Sequence, residues 1–134
     1  MARGQKDWQG MNWIRQSSRL AVYLRDGLAC AYCGAAVEDG VTLSLDHLVP
    51  RSRGGNHQVT NLVTCCKKCN SSRGNRSVRA FCRAVAEYLG HGINATDIER
   101  HVRACARRSM AEPRREARKL IARRGSVARV LAAM

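Results

Sequence analysis

Residues 45–77 read LDHLVPRSRGGNHQVTNLVTCCKKCNSSRGNRS, and this stretch decides the fold. It closes on Cys66-x-x-Cys69, and a second pair, Cys30-x-x-Cys33, lies upstream. Zinc favours tetrahedral sets of thiolates, and paired Cys-x-x-Cys turns supply that geometry. The 32 residues between the pairs exceed the usual ribbon spacing, so they must form a compact insertion that returns the chain to its start. Cys65 adjoins Cys66 and competes with it as a ligand; the x-x spacing favours Cys66. The bland alternative is four buried free thiols. Cys82 and Cys105 fall on apolar helix stripes and are expected in the core.

Working outward, Val41 to Asp46 alternates apolar and polar residues with the period of a strand. Leu48 and Val49 can begin a second strand, limited by Pro50. Arg51 to Thr60 is a loop marked by Gly54-Gly55. Asn61 opens a Leu-Val run, and Cys66 to Ser72 reads as a short helix ended near Gly74. Upstream, Ser18 to Arg25 reads as a helix closed by Gly27, and Cys30 to Gly34 as a tight knuckle. Met1 to Asn12 is polar and expected to fray. Trp8 and Trp13 are expected to cover the core rather than stack on a base.

Downstream the chain is helical. Val78, Phe81, Cys82, Val85 and Leu89 recur at helix spacing, and Gly90 and Gly92 stop the run. Thr96 and Glu99 form a capping box before Ile98, Val102, Cys105 and Ala106. Pro113 suits the first turn of a third helix, and a last short one spans Val127 to Ala133.

The chain has 134 residues and a formal net charge of +14. Residues 71–134 hold fifteen Lys+Arg against five Asp+Glu, whereas residues 1–70 hold nine against five. Such an excess favours a polyanionic partner, nucleic acid first and an anionic membrane second. Arg79, Arg83, Arg100, Arg103, Arg107, Arg114 and Arg118 fall mainly off the apolar stripes, as a helical face that tracks phosphates would require. Seven cysteines, an odd count without a leading apolar segment, argue against a secreted disulfide scaffold. We expect a soluble cytoplasmic protein in a reducing compartment, with no membrane partner.

Asp46-His47, Asn61 and Asn70 are residues that a structural zinc does not need. Together with the cysteines they resemble the HNH endonuclease family, whose core is the ββα-metal fold. The resemblance rests on Asp46-His47 in LDHLVPRSRGG, Asn61 in NLVTCC and Asn70 in CKKCN, and covers roughly residues 29–76. It implies an α+β fold: a ββα-metal HNH core stapled by a four-cysteine zinc at Cys30, Cys33, Cys66 and Cys69, followed by a basic helical C-terminal region. The segments expected are 1–28 with a short helix, 29–76 as the core, and 77–134 packed upon it.

The resemblance implies a metal-dependent nuclease. His47 can accept a proton from water near neutral pH, and Asp46 is a hard oxygen ligand suited to Mg²⁺ or Mn²⁺. Neighbours on a regular strand face opposite ways, so the strand must end or bend at Asp46-His47. By resemblance, Asn70 is the second ligand of the catalytic cation, and Asn61 orients His47 across the loop. Arg51, Arg53, Lys67, Lys68 and Arg73 flank the site and suit backbone phosphates of duplex DNA. His57 is expected to be a solvent-exposed loop residue; His91 and His101 are assigned no function. The alternative is a non-catalytic zinc-stabilised nucleic-acid-binding protein.

Overall fold

A computed structural model describes residues 11–134; Trp8 and the polar N-terminus lie outside them. Two strands, β1 (Leu43–His47) and β2 (Leu62–Cys66), pair antiparallel with His47 opposite Leu62 and Leu43 opposite Cys66. Helix α1 (Gln16–Arg25) precedes them and α2 (Lys67–Arg73) follows directly. The rest is helical: α3 (Val78–Leu89), α4 (Ala95–Arg107), α5 (Ala111–Arg124) and α6 (Val127–Ala132). The result is α+β, a ββα unit set among helices. No described helix is long and apolar enough to cross a membrane.

The second strand is Leu62–Cys66, not a run from Leu48. Leu48 instead donates its N–H to the Asn61 carbonyl and turns the chain out of β1. Pro50 lacks an N–H, so no ladder can continue there. The alternation of β1 does not mark a wet face, because Leu43 to Asp46 are all buried. Leu43 and Leu45 face α1 in a core with Leu20, Tyr23 and Leu62. Ser44 and Asp46 point the other way, where α2 covers them through Asn70 and Arg73.

The outer edge of β2 is closed by side chains and the Ala31 backbone rather than by a strand. Asp26 accepts the Thr64 N–H at 2.8 Å, and the Ala31 N–H reaches the Thr64 carbonyl at 2.9 Å. Arg25 pairs with Asp26 and donates to the Leu62 carbonyl at 2.6 Å. An exposed edge is thereby blunted, and the first cysteine knuckle is delivered beside the second.

The C-terminal helices divide between two cores. α3 and α4 pack on each other and α4 packs on β2, with Phe81, Val85, Ile98 and Val102 buried in one cluster with the cysteines. α5 and α6 return to α1, burying Ala117, Val127 and Val130 against Leu20 and Val22. α4 begins two residues ahead of the expected capping box. Asn94 accepts the N–H groups of Thr96 and Asp97, and Asn caps a helix better than Thr.

The Gly54-Gly55 signal has two causes. Gly54 sits at φ 86°, a left-handed turn. Gly55 is packed so closely that a Cβ would overlap the Val49 carbonyl oxygen. Gly55→Ala is expected to displace this loop and cost about 1–3 kcal/mol, by analogy with overpacked cores. Urea midpoints compared at equal metal content would show it; an unchanged midpoint would contradict the close approach.

Candidate active site and metal centre

Four sulfurs meet where the first knuckle faces the β2–α2 junction. The Sγ atoms of Cys30, Cys33, Cys66 and Cys69 lie within 4.8 Å of one another. Cys33 and Cys66 are 3.7 Å apart, close to the edge of about 3.8 Å expected for a tetrahedron with Zn–S bonds of about 2.3 Å. The N–H groups of Cys33 and Cys69 point at the sulfurs of Cys30 and Cys66, at 3.5 and 3.4 Å. Gly34, at φ 81°, completes the first turn.

The thiols ionise unequally. The hydrogen bond from Cys69 holds Cys30 down to about 5, while that bond and then burial push Cys69 up. Burial pushes Cys33 up to about 11. A divalent cation is what would let all four carry charge, and the donor set fits zinc. Cys65 is not a member of the cluster. It is fully buried on the opposite side of the strand, 3.5 Å from Ser44 Oγ.

A separate cleft of roughly 150 Å³ opens between the end of β1 and α2. Asp46, His47, Arg51, Asn70 and Arg73 line it. Ser44 and Asp46 share one face of β1, and Asn70 and Arg73 one face of α2. Asn70 Nδ2 donates to Ser44 Oγ at 3.0 Å, which leaves its amide oxygen as an acceptor. Tyr32 donates to Asp46 Oδ2 at 2.6 Å. Burial, then the Asp46 carboxylate, push the Tyr32 hydroxyl well above the usual phenol range, so it remains a donor.

Arg73 corrects the expectation of a surface phosphate contact. It is 2 % exposed. Its guanidinium donates to Asp46 Oδ2, to the His47 carbonyl at 2.7 Å and to the Leu48 carbonyl at 2.8 Å. These bonds fix the exit of β1 and neutralise Asp46. Arg73→Ala would strand a buried carboxylate and is expected to cost about 3–5 kcal/mol. Arg73→Lys should not restore it, since an ammonium cannot reproduce the fork. Urea denaturation of both variants tests this; a loss within about 0.5 kcal/mol would contradict the pairing, as surface sites behave.

The other basic residues divide between two surfaces. Arg51 and Arg53 are exposed on the loop, and Arg51 donates to the Gly55 carbonyl at 2.9 Å. Lys67 and Lys68 are exposed but line a groove of about 770 Å³ between the cysteines and α3. Lys68 there lies 3.7 Å over the Tyr88 ring.

At the end of β1, His47 lines the cleft between β1 and α2 and is partly buried. Burial, then the neighbouring His57, push its imidazole below the ordinary histidine value. Its Nε2 lies 2.9 Å from His57 Nδ1. Trp13 stacks on His57 at 4.4 Å and lies 5.0 Å from His47. Asn61 directs its side-chain hydrogen bonds to the loop backbone and not to the His47 ring. Its Oδ1 accepts the Val49 N–H at 2.9 Å, and its Nδ2 donates to the carbonyls of Val49 and Asn56. It ties the loop shut from inside.

The HNH endonuclease family model matches residues 30–86, a span that holds the four cysteines, Asp46, His47, Asn61 and Asn70. Residues 30–86 belong to the HNH endonuclease family. The chain is also similar to parts of larger proteins. The CRISPR-associated endonuclease Cas9 of Actinomyces naeslundii is 36% identical over 78 residues, 56% of this chain and 7% of that protein. The CRISPR-associated endonuclease Cas9 of Corynebacterium diphtheriae is 40% identical over 52 residues, 38% of this chain and 5% of that protein. This chain therefore spans under a tenth of either relative. The crystal structure of the Type II-C Cas9 enzyme from Actinomyces naeslundii aligns over 78% of this chain and 13% of that one, at 27% identity and a TM-score of 0.46.

Sequence reading missed Tyr32, the burial of Arg73 and the contact of His57 and Trp13 with His47. None of these carries a local signal. Each depends on a partner at least ten residues away.

Proposed function

We propose that the HNH segment hydrolyses phosphodiester bonds in duplex DNA, with His47 as general base and a divalent cation, Mg²⁺ or Mn²⁺, held by Asp46 and Asn70. One observation carries the reading: an imidazole, a carboxylate and a side-chain amide, those of His47, Asp46 and Asn70, line one cleft. Zinc at the four cysteines is the structural metal of this reading.

His47 takes a proton from water, whose oxygen attacks phosphorus as the bond to the 3′ oxygen breaks. Bound, the cation would polarise the phosphate and stabilise the departing oxygen. Asp46 and Asn70 offer it hard oxygens. Arg73 already offsets the Asp46 charge, so this pair adds little net negative charge. Cation binding should be weak and should lean on substrate phosphate. Arg51 and Arg53 suit phosphates near the cleft, and Lys67 and Lys68 suit a strand passing the other groove. Asn61 holds the loop that carries the site.

The test is conversion of supercoiled plasmid by zinc-replete protein, with and without added Mg²⁺ or Mn²⁺. Cation-dependent nicking is expected. DNA binding without cleavage under every cation would instead favour the non-catalytic zinc-stabilised binding protein.

A further inference from the structure

The contact between His47 Nε2 and His57 Nδ1, 2.9 Å, has one hydrogen to share. If His57 supplies it, His47 must carry its own hydrogen on Nδ1 and has no free lone pair. If His47 supplies it, Nδ1 is left basic. We propose that His57 is a positioning residue for His47: its Nδ1 accepts the His47 Nε2 hydrogen and holds His47 in the tautomer whose Nδ1 can take a proton. The inference rests on the reading of His47 as general base.

The surroundings of His57 suit the task. Trp13 stacks on its ring with an interplanar angle of 26°, which limits how the imidazole can turn. The backbone on both sides is pinned. Asn56 Oδ1 accepts the Gln58 N–H at 3.0 Å, and the Asn56 carbonyl accepts from Asn61 Nδ2 at 2.9 Å. Asn61 is therefore linked to His47 through Asn56 and His57. A base oriented by a third group is the arrangement by which hydrolytic imidazoles keep one tautomer. His57 is itself exposed, so its removal leaves no cavity in either core.

The first experiment is ¹⁵N NMR of the histidine rings in zinc-replete protein at a pH where His47 is neutral. The expected spectrum shows His47 protonated at Nε2 with a free Nδ1, and a mixture of tautomers in His57→Ala. His47 protonated at Nδ1 in the wild type, or a tautomer unmoved in His57→Ala, would overturn the inference. This readout needs no cleavage, so it stands apart from the nuclease reading.

The second experiment is kinetic, on a plasmid or oligonucleotide duplex. His57→Ala should lower kcat about tenfold or more, the scale of other groups that orient an imidazole from behind, with KM near wild type and an unchanged melting temperature. His57→Asn, which keeps an acceptor oxygen, should recover part of the rate. Asn61→Ala and His57→Ala should be non-additive, since both act through one path. Equal rates in wild type and His57→Ala would overturn the inference, as would additive losses without rescue by asparagine.

Discussion

Chelating the metal from the four-cysteine centre, or replacing Cys66 with serine, is expected to unfold the first knuckle and the β2–α2 junction together. Cys66 ends β2, caps α2 through its sulfur and sits 3.7 Å from Cys33 on the other knuckle. The metal would thus join two segments 32 residues apart in the chain. Structural zinc in small modules contributes about 10–16 kcal/mol of apparent binding energy, more than the whole stability of most domains. The aromatic content is only 4% and the cores are two small clusters, so little else can replace it. The checks are one zinc per chain by elemental analysis, and loss of cooperative melting on chelation that added zinc reverses. Cys65→Ala should keep its zinc, because Cys65 faces Ser44. Full cooperativity without metal would refute the staple; loss of zinc from Cys65→Ala would refute the ligand choice.

His47→Ala is expected to lower kcat by about 10²–10⁴-fold, the usual worth of a positioned general base. Affinity for duplex DNA should stay within a factor of a few, because the ring packs against Trp13 and His57 and the phosphate contacts are left to the arginines and lysines. Stability should also hold, since His47 is only partly buried. Single-turnover cleavage and binding by fluorescence anisotropy, at matched salt, separate the two effects. A cleavage rate within threefold of wild type would remove His47 from the chemistry. A collapse of DNA affinity with no further loss of rate would make it a binding residue.

The four-cysteine cluster and the place of Asp46, His47 and Asn70 around one cleft were legible because their signals are local. A Cys-x-x-Cys turn folds on itself, so spacing alone places two sulfurs together. Asp46-His47 stands at the end of an alternating run, and Asn70 one residue after Cys69. The Gly54-Gly55 pair announced a turn, although only packing against Val49 gave Gly55 its reason. The apolar Leu48-Val49 pair suggests a strand, yet Leu48 is only partly buried and bonds to the Asn61 carbonyl as the chain leaves β1, and Val49 is exposed.

Whatever depended on which side chain meets which across the fold was decided by tertiary structure. Arg73 reads in sequence as one more surface cation, yet α2 lies over β1 so that its guanidinium meets Asp46 in the interior. His57 reads as a loop residue, yet the loop returns to put it on His47 beneath Trp13. The basic C-terminal region reads as one block, yet α3 and α4 cover the cysteine side while α5 and α6 clasp α1. Spacing within a turn or a strand sets the short-range geometry of a chain, and that suffices for chelating pairs. A buried charge or a shared hydrogen is set by desolvation and by partners brought from afar, and these exist only once the chain has closed on itself.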